Sequence, residues 1–279
     1  MPSPGWAGWF VAGALTCPTL VVVNDISPRA PLDLDRLQEA AGPLWKVQLH
    51  AAAESTNALA TASLERGLVV VADHQTAGRG RLGREWVTPP GAALTFSAVV
   101  DPVVDDEWWP LVPLVAGYAV ARIVGGSVKW PNDVLLHDRK VCGILVERVH
   151  VRARGGDKPL AVVGIGLNVD QTADELPVPW ASSLGLLGFP WDRTELFARV
   201  LHGLRVWLGV MTSGPTTFVA NYRGRLDTLG RDVRVDLPDG STLSGRADGV
   251  DDHGRLEVET SGGTVAVAAG DVVHVRRAE

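Results

Sequence analysis

Cysteine is almost missing from this chain. Cys17 and Cys142 are the two examples in 279 residues, too few for a disulfide framework, so the fold has to rest on a hydrophobic core, and the chain suits a reducing cytoplasm. His74, His137 and His253 have no ligand spacing with a cysteine, so no metal site is expected. Lysine is nearly as scarce: Lys46, Lys129, Lys140 and Lys158 stand among 26 basic residues, the other 22 being arginine. Net positive charge is lacking too. The formal net charge is −6 and the sequence pI about 5.7, which argues against a nucleic-acid partner and makes any anion site a local positive patch on an acidic protein. The usual marks of a signal peptide are also lacking. The uncharged stretch from Gly5 to Val23 has no Lys or Arg before it, is broken by Pro18 and is diluted by Gly5, Gly8 and Gly13. It reads as neither a leader nor a membrane span. Residues 1–32 are expected to form a poorly ordered extension that ends in a Pro-containing linker.

What is present is ordinary globular composition, 46% apolar and 21% charged, in a length that suits one large domain and a small one. The pattern predicts a helix over Leu34–Ala41, a strand over Trp45–Leu49, a helix over Ser55–Arg66 and a buried strand over Leu68–Ala72. Residues 75–91 read as a loop, Ala93–Val100 as a strand and Leu111–Val124 as a helix. Strands follow at Val128–Trp130, Val134–Leu136 and Val141–Glu147. A hairpin pairs 141–151 with 160–169 around a polar turn at 152–159. Asp192 and Glu195 form a capping box for a helix with Leu196, Val200, Leu204 and Trp207 or Leu208 along one stripe. After Thr228 the composition changes to short alternating runs split by turns at Pro238-Asp239-Gly240, Asp252-His253-Gly254 and Ser261-Gly262-Gly263, a pattern of a small β-barrel.

The segment from Asp73 to Trp86 carries most information. Gly78-x-Gly80-x-x-Gly83 matches the dinucleotide fingerprint as a bare pattern. The context fails, because Trp86-Val87-Thr88-Pro89-Pro90 cannot open the helix that fingerprint needs. Instead Arg79, Arg81 and Arg84 alternate with glycines that let the backbone close on a ligand. Their guanidinium forks suit phosphate or carboxylate oxygens, and Trp86 offers a flat face for a purine or a lid. An anionic, adenylate-like ligand fits this set. Lys129 and Lys140 lie eleven positions apart, both at strand–turn boundaries, where they can point into a shared cleft and offset charge in phosphoryl or nucleotidyl transfer. Simpler roles exist for each motif: Ser55-Thr56-Asn57 is also a good helix N-cap, Pro131-Asn132-Asp133 a turn, Gly164-x-Gly166 a bulge, and Cys142 a small buried side chain.

Taken together, Glu54-Ser55-Thr56-Asn57, the Gln75–Trp86 loop, Lys129-Trp130-Pro131-Asn132-Asp133, Lys140 with Gly143-Ile144-Leu145-Val146-Glu147, and Gly164-Ile165-Gly166-Leu167-Asn168 resemble biotin–protein ligase. They occur in the expected order, and the resemblance runs from Trp45 to the C-terminus. The family's N-terminal DNA-binding winged helix has no counterpart here, which resembles the ligase-only class. The resemblance implies an α+β fold: a central mixed β-sheet with helices packed on it over residues 33–226, then a small SH3-like β-barrel over 227–279. It implies that Ser55, Thr56, Asn57, Gln75, Arg79, Gly80, Arg81, Lys140, Gly164 and Gly166 bind biotin, with Arg81 and Lys140 catalytic. Lys140 would contact the biotin carboxylate or the acyl phosphate. Arg84, Trp86, Lys129, Asn132 and Asn168 would serve the nucleotide. The implied reaction takes biotin, ATP and Mg2+ to biotinyl-5′-AMP, then transfers the biotinyl group to a lysine of a biotin carboxyl carrier protein or acyl-CoA carboxylase biotin domain. No covalent enzyme intermediate is needed. The implied setting is cytoplasmic, without nucleic acid or membrane, as a monomer or weak homodimer. Lipoate or octanoate transfer on the same fold, a non-catalytic biotin or adenylate sensor, and an RNA-binding protein are the competing readings.

Overall fold

The computed structural model describes residues 29–86, 88–153 and 156–275, with the side chains of 152–157 left aside. The uncharged stretch Gly5–Val23, Cys17 and most of the expected extension lie outside the described residues. At their start, Arg29 pairs with Glu175 at 2.6 Å and Leu32 is buried in the core.

A seven-stranded mixed sheet forms the centre. Its strands are β1 (Lys46–His50), β2 (Leu68–Ala72), β5 (Ala93–Val100), β6 (Ser127–Lys129), β7 (Asp133–Leu136), β8 (Arg139–Ala153) and β9 (Gly156–Asn168), in the order β1-β2-β5-β9-β8-β7-β6. The two-residue strands β3 (Gly78–Arg79) and β4 (Glu85–Trp86) form a separate ribbon. Only β1 and β2 pair in parallel; the other neighbours are antiparallel. Both faces are covered, which is why β2 reads as an unbroken apolar run rather than an alternating one. Along β2, Val69 and Val71 face the main core, while Leu68 and Val70 join a second cluster with Ala60 on the opposite face, the period-two consequence of the pleat.

The second cluster lies under α2 (Thr56–Ser63). The other helices are α1 (Leu34–Ala41), α3 (Leu111–Val124), α4 (Arg193–Ser213) and α5 (Pro215–Arg223). Nearly every residue of α3 is buried. α4 shows the expected stripe, with Leu196, Val200, Leu204 and Leu208 buried and Trp207 partly so. Asp192 caps α4 by accepting from the Glu195 N–H at 2.8 Å. Glu195 itself takes Arg199 instead of returning to the cap. α2 is shorter than its pattern predicts because Leu64 turns left-handed, with φ 49°. The β8–β9 hairpin is longer than expected: pairing continues to Ala153 and Gly156, so most of the polar 152–159 stretch is strand. α5 was not anticipated; Gly214-Pro215 punctuates the sequence there, yet Pro at the first helical turn is well tolerated.

The last five strands are β10 (Asp232–Asp236), β11 (Thr242–Val250), β12 (Leu256–Thr260), β13 (Gly263–Val267) and β14 (Asp271–His274). They form an antiparallel sheet in the order β13-β12-β11-β10-β14. The small β-barrel expected here is seen as this antiparallel sheet: among the described residues β13 and β14 do not pair, and the sheet is open in its hydrogen bonding. Its apolar face joins the main core. Trp130 fixes the junction, its Nε1 donating to the Gly254 carbonyl at 2.9 Å and its backbone N–H to Thr228 Oγ1 at 3.0 Å. Gly254 has φ +80°, and a Cβ there would sit 2.6 Å from Leu114 Cδ1. The close approach of the two layers therefore requires glycine.

Candidate active site

The glycine–arginine segment folds back on itself. Gly78 pairs with Trp86 and Arg79 with Glu85, and the Gly80 N–H donates to the Arg84 carbonyl at 2.6 Å. Leu82, at the tip, has φ 56° and is exposed. This strap covers a cavity that is partly open to solvent. The first turn of α2, Gln75, and Gly143, Gly164 and Gly166 of the central sheet form the rest of the wall with Asn132, Asp133 and Lys140.

One end of the cavity is polar and uncharged. Ser55, Thr56 and Asn57 are buried at the start of α2, where Ser55 caps the helix by accepting from Ala58 N–H at 3.4 Å. The helix cap made by this motif and its place on the cavity wall thus coincide. Gln75 Oε1 accepts from the Thr56 N–H at 2.8 Å. Asn57 Nδ2 donates to Glu147 Oε2 at 2.7 Å, and Ser97 Oγ lies 2.6 Å from Asn57 Oδ1. A Cβ on Gly164 would overlap Asn57 Oδ1, so glycine lets this amide reach the sheet.

The other end is cationic. Arg81 is half-buried and donates to Asn132 Oδ1 at 3.2 Å. Burial pulls its pKa down, against Asp271 and Asp133, which raise it. A desolvated guanidinium of this kind gains by meeting an anion. Lys140 Nζ sits 2.6 Å from Asp133 Oδ1 and 5.8 Å from the centre of the Trp86 ring. Trp86 lies flat on the sheet: a Cβ on Gly143 would stand 2.9 Å from its Cζ3, and one on Gly166 would overlap its pyrrole edge. Its indole N–H is buried without a hydrogen-bond partner.

Of the residues singled out in the sequence, Ser55, Thr56, Asn57, Gln75, Arg79, Gly80, Arg81, Arg84, Trp86, Asn132, Lys140, Gly164 and Gly166 all line this cavity. Lys129 and Asn168 do not. Lys129 does not share the cleft with Lys140; its charge bears on His274 of β14. Asn168 is buried at the end of β9, donating to the Ser182 carbonyl at 3.0 Å and accepting from Gln171 at 2.9 Å. Ser97 and Asp271 are additions. Ser97, with Thr95, is one of two polar residues in an otherwise apolar strand, a legible signal. Asp271 lines the cavity from β14 and has no local signal. Among the described residues no group of three His, Cys, Asp or Glu side chains is placed to hold a metal, and no helix is long and apolar enough to cross a membrane.

Residues 51–168 match the biotin/lipoate A/B protein ligase family, and residues 228–275 match the biotin protein ligase C-terminal domain. The biotin–[acetyl-CoA-carboxylase] ligase of Mycobacterium tuberculosis is 39% identical over 269 residues, which cover 89% of this chain and 97% of that protein. The bifunctional ligase/repressor BirA of Bacillus subtilis is 30% identical over 230 residues, 78% of this chain and 70% of that protein. The biotin protein ligase of Aquifex aeolicus, solved with biotin and ATP, superposes with a TM-score of 0.69 at 28% identity, covering 83% of this chain and 99% of that one. With the strap, the polar pocket and the cationic cluster in one cavity, and with a relative this similar along almost its whole length, the chain belongs to the biotin–protein ligase family.

Proposed function

We propose that this protein activates biotin with ATP and transfers the biotinyl group to a lysine of a carrier domain of an acyl-CoA carboxylase. The supporting observation is one cavity with two chemically different ends. The buried hydroxyls and amides of Ser55, Thr56, Asn57 and Gln75 suit the neutral ureido head. Arg81 and Lys140 suit the carboxylate and the phosphate joined to it. A lipoyl ring has no N–H groups to offer the polar end, so biotin fits better.

In the first step a biotin carboxylate oxygen attacks the α-phosphorus of ATP, and pyrophosphate leaves. ATP enters as its Mg2+ complex, the metal being part of the substrate. Arg81 and Lys140 stabilise the negative charge that builds on the α-phosphoryl oxygens. Lys140 reaches this role by exchanging Asp133 for the ligand. Arg79, Gly80 and Arg84 hold the strap over the mixed anhydride and exclude water. In the second step the uncharged carrier lysine amine attacks the acyl carbon, the acyl–phosphate bond breaks, and AMP leaves. Trp86, Asn132, Lys129 and Asn168 are proposed for the nucleotide side. Lys129 and Asn168 act there only through neighbours, since they stand off the cavity wall. We further propose residues 33–226 as the substrate-binding domain and 227–279 as a domain of SH3-like topology, in a cytoplasmic protein that works as a monomer or weak homodimer.

The test is mass spectrometry of a carboxylase carrier domain after incubation with the protein, biotin and Mg-ATP. The expected result is a gain of one biotinyl group, lost when ATP or the carrier lysine is absent. A carrier of unchanged mass would contradict the assignment.

A further inference from the structure

Four side-chain oxygens form a chain below the uncharged end of the cavity. Gln75 Oε1 is 3.1 Å from Thr56 Oγ1, which is 2.7 Å from Ser97 Oγ, which is 2.6 Å from Asn57 Oδ1. Three oxygen–oxygen contacts call for three protons, and the two hydroxyls carry two. Turning either end amide would bring the third. Gln75 is held, because its Oε1 also accepts from the Thr56 backbone N–H at 2.8 Å. Asn57 is held, because its Nδ2 donates to Glu147 Oε2 at 2.7 Å, with weaker support from the Leu145 carbonyl at 3.4 Å. The hydrogen-bond network thus assigns both amides with oxygen inward, and the ligand-free chain is one donor short. A buried oxygen pair without a proton is costly, and an incoming N–H group relieves it.

We infer that Glu147, exposed on β8 and off the cavity wall, is a positioning residue that sets ligand selectivity. By fixing the Asn57 amide it keeps the oxygen chain short of a proton, so the site favours a head group that carries N–H donors. A cyclic urea, with two N–H groups, answers this need. The inference rests on the biotin reading and extends it to a residue that does not touch the ligand.

The experiment measures steady-state constants by biotin-dependent exchange of pyrophosphate into ATP. In Glu147→Gln the new amide accepts or donates equally well, so Asn57 is free to turn and supply the missing proton itself. The expected result is a rise in KM for biotin of about tenfold, with kcat and KM for ATP changed by less than about twofold. The melting temperature should hold, because Glu147 is exposed. Glu147→Ala removes the same anchor and should raise KM for biotin in the same direction. An unchanged KM in both Glu147→Gln and Glu147→Ala overturns the inference. So does a drop in melting temperature that accompanies the rise in KM, since that marks a merely structural contact. Absence of exchange in the parent protein would instead strike the biotin reading itself.

Discussion

Arg84 in the strap is ion-paired with Asp271, the first residue of β14, 187 positions further along the chain. The bond with Asp271 holds the Arg84 guanidinium above its ordinary pKa, outweighing the effect of burial. This contact ties the cover of the cavity to the C-terminal sheet, two parts of the sequence with no local relationship. The pair is solvent-exposed on the arginine side and so contributes at most about 1 kcal/mol. In Asp271→Asn, tryptic cleavage within the strap should therefore quicken by up to about fivefold in low salt, with little change in melting temperature. Equal cleavage rates would mean that the pair does not hold the strap.

Arg81 is the strap arginine whose charge is most desolvated, and its partner Asn132 lies at the phosphate end of the proposed site. Arg81→Ala should slow formation of biotinyl-5′-AMP by about a hundredfold or more. Rapid-quench chromatography of the intermediate reads this directly. Formation at the parental rate would remove Arg81 from the chemistry.

Trp86 and Gly166 occupy one another's space. Gly166→Ala should cost about 1–3 kcal/mol of stability through overpacking. Adding Trp86→Ala should return most of that loss, measured as a double-mutant cycle in denaturant. Additive losses would show that the indole is not what excludes a side chain at 166.

His274 shows a pH effect of defined sign. Burial, Lys129 and Arg231 lower its pKa; Asp227 and Asp138 raise it; burial prevails and the value falls to about 4. The unfolded value is near 6.5. The folded state therefore binds fewer protons between these limits, and stability is lost as pH falls from about 6.5 toward about 4. The melting temperature of the parent should drop more steeply across that window than that of His274→Gln. Parallel curves would contradict the half-buried, neutral state of His274.

The strands and the site were legible to different extents, for physical reasons. Period-two and period-3.6 patterns report burial on one element, so β2, β5, α3 and the stripe of α4 could be read directly. Leu64 was not, because a left-handed leucine has no sequence mark of its own. The pairing of the last five strands was not, because alternation reports a half-buried strand and says nothing of which edges meet. The motif residues around the cavity were legible because short segments of unusual composition carried them. Lys129 was misplaced into the shared cleft because two lysines near turns say where their Cα atoms lie and not which way the chains point. Asp271 and Glu147 became visible only through contacts between distant segments, Arg84 with Asp271 and Asn57 with Glu147.

The most direct test of the central claim is exchange of labelled pyrophosphate into ATP by the purified protein with no carrier present. Joining a carboxylate to AMP inside this one cavity predicts exchange that depends on biotin, survives without carrier, and disappears in Lys140→Ala with Arg81→Ala. Exchange that proceeds without biotin, or no exchange with both substrates saturating, would contradict it.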